Sequence, residues 1–345
     1  MTYGGTQQRP SETDRSLPRE ILEHPCYSAD AHHKYGRIHV PVAPRCNIQC
    51  NYCTRKFACP NENRPGVTMR VISATEAIDT IEDALRKEPR LRVLGVAGPG
   101  DALANDATLD TFRRARSAFP MLSRCLSTNG LLLPEKIDEI HDAGITSLTI
   151  TINAIDPAVG MQIYSRIRYK QQTYRGAEAF DILCRNQLDG LERATERGMF
   201  VKVNSVLIPG INDRHLIDVA REVKRRGAYT MNIIPMIPLA QFAHMEPPTD
   251  EEVNRVRDEC ETVIRQFRNC MRCRADAIGV PGEEGCGGPG PANGTACNGR
   301  KTGDGKGCDP PSGPNAGIHQ VCTPKFLEGK AVIALTGLDL PQSTD

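Results

Sequence analysis

The stretch from Pro41 to Lys56, PVAPRCNIQCNYCTRK, places three cysteines within eight residues. Cys46, Cys50 and Cys53 supply three soft ligands, whereas closed structural zinc sites and most iron–sulfur clusters use four. A metal centre with three protein ligands keeps one coordination position open for a substrate or cosubstrate. The sequence therefore predicts an incomplete metal site in this segment.

The composition narrows the class of protein. The chain has 345 residues, with 43 basic and 42 acidic side chains, so its charge favours neither nucleic acid nor an anionic membrane as a partner. Its polar beginning lacks the apolar core of a signal peptide, and no apolar run is long enough to span a membrane. We expect a cytoplasmic protein, in which the fourteen cysteines favour metal binding over disulfides.

Six apolar, β-rich runs alternate with amphipathic helical segments along most of the chain. The runs are RIHVPVA (37–43), LRVLGVAGP (91–99), RCLSTNG (124–130), SLTITINA (147–154), FVKVNSVLI (200–208) and TMNIIPMI (230–237). The helical segments are 73–89, 133–144, 176–198, 211–227 and 249–267. Successive βα units predict an α/β fold with a parallel sheet and right-handed crossovers. We favour a partial (βα)6 barrel over a doubly wound sheet; in either, the site lies at the carboxyl ends of the strands.

The C-x3-C-x2-C pattern, placed directly after the first strand, resembles the radical S-adenosylmethionine (SAM) superfamily. Tyr52 agrees with an aromatic residue common at that position. The resemblance implies a [4Fe–4S] cluster on Cys46, Cys50 and Cys53, whose open iron binds the amino and carboxylate groups of SAM. One electron then cleaves SAM to methionine and a 5′-deoxyadenosyl radical. The alternative is a zinc site completed by Cys59.

Glycine and polar residues follow several of the predicted strands, in VAGPGDAL (96–103), STNG (127–130) and NSVLIPGIN (204–212). The glycines would let the backbone approach SAM closely, and the polar side chains could bind its ribose and carboxylate. The alternative for each segment is a capped turn. The candidate SAM-contacting residues are Gly98, Gly100, Asp101, Ser127, Asn129, Asn153, Asn204 and Ile208.

Further cysteines fall into two sets, each large enough for an iron–sulfur cluster with incomplete or mixed ligation. Such ligation suits a cluster that later leaves the protein. Cys184, within a predicted amphipathic helix, is expected to be only a small buried hydrophobe. The first set is His24, Cys26, Cys59 and Cys125; the second is Cys260, Cys270 and Cys273.

Three segments together resemble the NifB family of nitrogenase cofactor maturases. They are HPCYSADAHHKYGRIHVPVAPRCNIQCNYCTRKFACPNENRPGV (24–67), VAGPGDALAN (96–105) and CMRCRADA (270–277). The resemblance implies an enzyme that fuses two [4Fe–4S] substrate clusters into an eight-iron cluster with a central carbide. One SAM supplies the methyl carbon and a second supplies the radical that removes hydrogen from it.

The same resemblance assigns roles to residues and partners. The two cysteine sets would bind the two substrate clusters, and Glu62 would move protons during carbide formation; the alternative is that Glu62 pairs with Arg64 or Arg55. Implied partners are iron–sulfur cluster donors, cofactor carrier and scaffold proteins, and a reductase or ferredoxin. Rival interpretations are a radical SAM enzyme with auxiliary electron-transfer clusters and a non-catalytic iron–sulfur scaffold.

The predicted organisation has three parts. Residues 1–36 form an N-terminal extension with His24 and Cys26, and 37–269 form a partial barrel of the radical SAM type. Residues 270–345 form a C-terminal cysteine-bearing segment with a mobile Gly/Pro-rich loop at 281–317. Beyond that loop, the apolar run at 330–338 is a candidate docked strand. We expect a stand-alone core enzyme, without the carrier-like domain that many relatives carry. Four cysteines of this segment have no assigned role: Cys286, Cys297, Cys308 and Cys322.

Overall fold

The computed structural model describes residues 17–68, 70–270 and 272–283. Its strands, in chain order, are β1 (Gly36–His39), β2 (Ile48–Cys50), β3 (Leu91–Val96), β4 (Ser123–Thr128), β5 (Ser147–Thr151), β6 (Tyr164–Tyr169), β7 (Gln172–Tyr174), β8 (Phe200–Leu207), β9 (Thr230–Pro235) and β10 (Ile278–Gly279). The predicted strand at 330–338, the four C-terminal cysteines from Cys286 onward and most of the 281–317 segment lie outside the described residues.

The main sheet has seven strands in the order β10-β1-β3-β4-β5-β8-β9. All neighbours pair in parallel except β10, which runs antiparallel to β1 at one edge. The six parallel strands follow one another in chain order without reversal, whereas a doubly wound sheet reverses its order at a switch point. This order confirms the α/β fold and the partial barrel, whose six parallel strands are those predicted.

The described helices are α1 (Arg19–Leu22), α2 (Ala29–His32), α3 (Ala74–Lys87), α4 (Asp106–Ala118), α5 (Leu133–Asp142), α6 (Pro157–Ile163), α7 (Gly176–Glu196), α8 (Leu216–Arg225) and α9 (Asp250–Glu261). The predicted cap of α3 is present: the Ser73 hydroxyl accepts from the Glu76 N–H, and the Glu76 carboxylate accepts from the Ser73 N–H. In the described part of the chain, no helix is long and apolar enough to cross a membrane.

Two helix boundaries differ from the prediction for identifiable reasons. Helix α8 begins at Leu216 rather than near residue 211, because the Asn212 side chain bonds to the backbone of Asn153, Val206 and Ile208 and holds a turn there. Helix α9 ends at Glu261 rather than near residue 267. The chain beyond it runs beside β9, where the Phe267 N–H donates to a β9 carbonyl.

A second, small antiparallel sheet of β2, β6 and β7 was not predicted. It pairs Cys50 with Tyr164 and Ile48 with Ile167, so the cysteine segment is joined to a hairpin from the middle of the chain. Beneath it lies a separate apolar cluster that includes Tyr52 and Phe180. The main core packs helices against the outer face of the large sheet. The cysteine segment therefore rests on packing of its own, at the carboxyl ends of the parallel strands.

Candidate metal centre

The three cysteines of the motif line one cleft. Cys50 ends β2, and the backbone around it is held by two long side chains. Arg55 donates to the carbonyls of Cys46 (3.1 Å) and Ile48 (3.0 Å). Gln49 Nε2 donates to the carbonyls of Cys50 (3.0 Å) and Cys53 (2.7 Å). These bonds fix the segment's backbone while its sulfur atoms remain at the cleft wall.

Burial makes these thiols hard to ionise. It raises the pKa of Cys46 to about 11 and that of Cys50 well above the ordinary value, and it also raises the pKa of Cys53. Metal ligation requires the thiolate, so a metal bound here must displace protons. Within the described residues, no three His, Cys, Asp or Glu side chains converge on one point that a single metal ion could occupy. Ligands of an iron–sulfur cube bind separate irons and need not converge in that way.

The loop after β3 packs directly on the cysteine segment. The Gly100 N–H donates to the Ala43 carbonyl (2.6 Å), and the Asp101 N–H donates to the Arg45 carbonyl (2.9 Å). A Cβ at Gly100 would lie 2.6 Å from the Arg45 carbonyl carbon and 2.7 Å from the Pro44 oxygen. Only glycine permits this approach. The loop that was predicted to contact SAM thus also sets the position of the cysteines.

Asp101 connects this loop to the end of β4. Its buried carboxylate accepts from the Asn129 N–H (2.6 Å), the Thr128 hydroxyl (3.0 Å) and the Leu103 N–H (3.0 Å). Burial raises the pKa of Asp101, and these hydrogen bonds act in the opposite direction. Asn129 in turn donates to the Asn47 side chain (2.7 Å) and lies 3.8 Å from the Cys46 sulfur.

The predicted SAM-contacting residues divide into two groups. Gly100, Asp101, Ser127 and Asn129 line the cleft. The other four are not among its lining residues in the described part of the chain: Gly98, Asn153, Asn204 and Ile208.

Two of the second group have structural partners. Asn153 is fully buried; its Nδ2 donates to the Tyr52 hydroxyl (2.7 Å) and its Oδ1 accepts from the Val206 N–H (2.8 Å). Ile208 is buried in the smaller apolar cluster. Both therefore support the cysteine segment from behind.

Glu62 lines the same cleft. Thr151 Oγ1 donates to its carboxylate (2.9 Å), and Asn204 Nδ2 donates to both oxygens (3.1 and 3.2 Å). Among the described residues, no ion pair joins it to Arg55 or Arg64, the partners of the alternative interpretation. Burial raises its pKa, although a nearby lysine and the hydrogen bonds oppose that shift. The result is a buried carboxyl group that is easier to protonate than usual.

A second group of thiols combines members of both predicted sets. Charge on Cys273 and on Cys125 would each influence the pKa of Cys26, and charge on Glu62 would influence that of Cys125. Burial, the largest cause, raises the pKa of Cys26 to about 12 and that of Cys125 to about 11. Cys59 instead lines the cleft of the motif, and its electrostatic neighbours are the three cysteines there.

His24 is buried next to Cys26. Its Nδ1 accepts from the Cys26 N–H (3.1 Å), and its Nε2 has no hydrogen-bond partner among the described residues. Burial, followed by the charge of Lys202, holds its pKa well below the ordinary value, so the ring is neutral. A buried ring nitrogen without a hydrogen-bond partner is unusual in a stable fold and fits a histidine that binds iron. In this orientation Nε2 carries the ring hydrogen, which iron would have to displace.

Cys260 is placed elsewhere. It is fully buried on α9 within the main apolar core, and its charged neighbours are Glu259 and Arg221. Among the described residues, Cys260 is not one of the groups whose charge influences the pKa of Cys26 or of Cys125. Cys184 packs half-buried against the smaller apolar cluster, as expected.

The radical SAM superfamily profile matches residues 40–223. The protein named FeMo cofactor biosynthesis protein NifB from Methanocaldococcus jannaschii is 44% identical over 260 residues, covering 74% of this chain and 86% of that one. The chain belongs to the NifB family of the radical SAM superfamily.

Other NifB relatives are longer than the matched region. The proteins of the same name from Chlorobaculum tepidum and Bradyrhizobium diazoefficiens are 44% and 47% identical over 76% and 78% of this chain, which spans 63% and 56% of their lengths. Among solved structures, Streptococcus suis SuiB has a TM-score of 0.48 at 10% identity, covering 67% of this chain and 48% of that one. Methylornithine synthase (PylB) has a TM-score of 0.44 at 12% identity, covering 67% and 64%.

Membership of this superfamily implies a [4Fe–4S] cluster and SAM, and the residues fit that cluster. Cys46, Cys50 and Cys53 supply three thiols to one cleft, and the backbone approach at Gly100 closes its side. Three thiols are one fewer than the four that ordinarily bind a [4Fe–4S] cluster, so one iron is left for SAM.

Sequence reasoning missed two buried cations of this NifB-family chain. Lys202 on β8 lies within electrostatic range of Cys26, Cys125, Cys270 and Glu62. Arg37 on β1 donates through Nη2 to the Cys273 sulfur (2.6 Å). The sequence signal that could have identified them is a charged residue within a largely apolar run. It is Lys202 in FVKVNSVLI and Arg37 in RIHVPVA.

Proposed function

We propose that this chain fuses two [4Fe–4S] substrate clusters into an eight-iron, carbide-containing precursor of the nitrogenase cofactor. One observation carries the proposal: the buried, neutral His24 and the thiols of Cys26, Cys125 and Cys273 form a group that does not line the cleft of the three motif cysteines. A single cluster for SAM cleavage would not require that group. The chain's membership of the NifB family supports the same interpretation.

Different residues of the chain would have separate roles in this reaction. Cys46, Cys50 and Cys53 hold the resident cluster, while Asn129 and the backbone near Gly100 bound the SAM cleft. When bound, the cluster and SAM supply a transferable methyl group and a 5′-deoxyadenosyl radical that abstracts a hydrogen atom. The proposed mechanism therefore uses two SAM molecules per product, one as the source of the methyl group and one as the source of the radical.

Glu62 is proposed to accept a proton as the transferred methyl carbon loses its hydrogens. Its carboxylate lines the SAM cleft and lies within electrostatic range of Cys125, so it would have access to both groups. Its raised pKa brings it closer to the range of a useful acid–base group. Thr151 and Asn204 hold the carboxylate in place through hydrogen bonds, so its position does not depend on the substrate.

The substrate ligands remain proposals. We retain His24, Cys26 and Cys125 for one cluster and Cys270 and Cys273 for the other. Cys59, which lines the cleft of the motif cysteines, and Cys260, which lies in the core, each need a direct test. The proposed partners are iron–sulfur cluster donors, cofactor carrier and scaffold proteins, and a reductase or ferredoxin.

The decisive experiment is anaerobic. The protein is reconstituted with iron and sulfide and given SAM and dithionite, and both S-adenosylhomocysteine and 5′-deoxyadenosine are quantified. The Cys270→Ala/Cys273→Ala variant is compared with Cys184→Ala, which alters a thiol packed away from the cleft. The proposal predicts both products in the parent and in Cys184→Ala, and loss of the coupled pair in the double variant.

Other outcomes favour the rival interpretations. Formation of 5′-deoxyadenosine alone would support a radical SAM enzyme that uses auxiliary clusters for electron transfer. Iron-loaded protein that yields neither product would support a cluster scaffold. A Cys260→Ala variant with unchanged iron content would remove Cys260 from the ligand set.

A further inference from the structure

Lys202 lies in the middle of the buried strand β8, between its parallel neighbours β5 and β9. Its side chain is only 5% exposed. The Nζ atom donates to the Cys26 carbonyl (3.3 Å) and lies 5.2 Å from the Tyr27 ring centroid and 5.4 Å from that of Phe267. One carbonyl and two aromatic faces therefore surround the ammonium group.

These contacts do not provide a counter-charge. None of the ion pairs among the described residues involves Lys202. The carboxylate of Glu62 is within electrostatic range, but its hydrogen bonds go to Thr151 and Asn204. Removing an ammonium group from water costs several kcal/mol, and a desolvated cation–π contact returns about 2 kcal/mol or more. An anion that arrives with a ligand would add to the stabilisation that the Glu62 carboxylate gives from a distance.

The surroundings of Lys202 indicate which anion. After burial, the largest influences on its pKa are Cys26, Cys270, Cys125 and Glu62, in that order. From the opposite edge of the sheet, Arg37 reaches the Cys273 sulfur. Two cations from different strands thus approach one group of thiols. Protonated thiols carry no charge, whereas an iron–sulfur cluster held by thiolates is an anion with sulfide acceptors on its faces.

We propose that Lys202 is the counter-cation that binds and positions the anionic iron–sulfur substrate held by Cys26 and Cys125. This inference rests on the proposed function, because it takes the auxiliary group to be a cluster site. Nζ donates a charge-assisted hydrogen bond to a sulfide or thiolate sulfur of the substrate. The positive charge also favours the reduced, more negative state of that cluster.

The test isolates the auxiliary site from the resident cluster. A background variant, Cys46→Ala/Cys50→Ala/Cys53→Ala, removes the ligands of the resident cluster, so that retained iron belongs to the auxiliary group. Lys202→Met, Lys202→Gln and Lys202→Arg are made in this background, with the exposed Lys224→Met on α8 as the matched control. Iron and sulfide per chain are measured after anaerobic reconstitution and gel filtration, and the midpoint potential is measured by redox titration with electron paramagnetic resonance.

Lys202→Met is expected to weaken cluster retention at least tenfold and to shift the midpoint potential negative by about 59 mV, a tenfold change in a one-electron equilibrium. Lys202→Gln should behave like Lys202→Met, because it keeps a donor but loses the charge. Lys202→Arg should retain most of the iron, and Lys224→Met should match the background.

Stability of the cluster-free protein separates this role from a structural one. Because Lys202→Met removes a buried charge, the cluster-free variant should unfold at an equal or higher urea concentration than the background, although it retains less iron. A structural lysine would lower both stability and iron content. Equal iron content and potential in Lys202→Met and Lys224→Met would overturn the inference alone. If the background bound no auxiliary iron at all, both the inference and the proposed function would fail.

Discussion

Gly100→Ala tests whether the β3 loop positions the cysteine segment. The new methyl group would meet backbone atoms of Pro44 and Arg45, at 2.7 and 2.6 Å, rather than flexible side chains. Overpacking costs about 1–3 kcal/mol even where side chains can move aside. The displaced loop would also weaken two backbone hydrogen bonds, to Ala43 and Arg45, each contributing about 1 kcal/mol. We therefore expect a loss of about 3–5 kcal/mol in the free energy of unfolding.

The assay is urea unfolding of the cluster-free, reduced protein, followed by measurement of iron after reconstitution. Gly198→Ala is the matched control, because Gly198 has a φ of 74° and nothing within 4 Å of an added Cβ. It should lose only about 1–2 kcal/mol, the conformational cost of a left-handed alanine, and keep its iron. If Gly100→Ala loses no more stability than Gly198→Ala, or binds iron equally well, the loop does not hold the cysteines as we describe.

Four further variants test local contributions. Ser73→Ala removes the cap of α3 and should lower the free energy of unfolding by about 1 kcal/mol, measured in urea. Tyr27→Phe removes a buried hydroxyl that donates to the Leu148 carbonyl and should cost about 1–2 kcal/mol in the same assay. Burial lowers the pKa of His32 from 6.5 to about 4, so the unfolded chain protonates first and stability falls as the pH drops through this window. At pH 5 this loss should be about 2 kcal/mol, and His32→Gln should reduce the difference measured between pH 7.5 and 5. Glu62→Gln should still form 5′-deoxyadenosine but make the carbide product about 10²-fold more slowly or worse, as seen by product iron and carbon analysis.

The main sheet was predictable because most of its parallel strands are buried on both faces. Continuous apolar runs mark such strands, as in β3 and β8, whereas β4 is mostly half-buried. The small sheet gives no such signal. Strands β6 and β7, within YSRIRYKQQTY, are largely polar, and the turn between them uses Lys170 and Gln171 at positive φ, a conformation that neither residue type favours. β2 is only three residues long and lies inside the cysteine motif.

The grouping of the auxiliary cysteines could not be read from the sequence, because it depends on one pairing at the sheet edge. β10 runs antiparallel to β1, with Arg37 opposite Gly279. That pairing carries the segment containing Cys273 back across the sheet to Arg37, close to Cys26 near the beginning of the chain. Proximity in the sequence favoured grouping Cys260 with Cys270 and Cys273. In the structure, Cys260 lies on the buried face of α9, in the core.

The cysteines were easy to find because their chemistry is specific, whereas the cations that surround them were not. A lysine or arginine in a sequence is usually at the surface, and only burial makes its charge informative. In this fold, Lys202 is 5% exposed and lies near Cys26 and Cys125, whose pKa values burial raises to about 12 and about 11. Thiols that lose protons on binding iron would bring negative charge close to this cation, so cluster binding and charge neutralisation would become one event. Under the proposed function, such a site would be stabilised by the arrival of an anionic cluster, because the buried ammonium group would then lie beside a full negative charge.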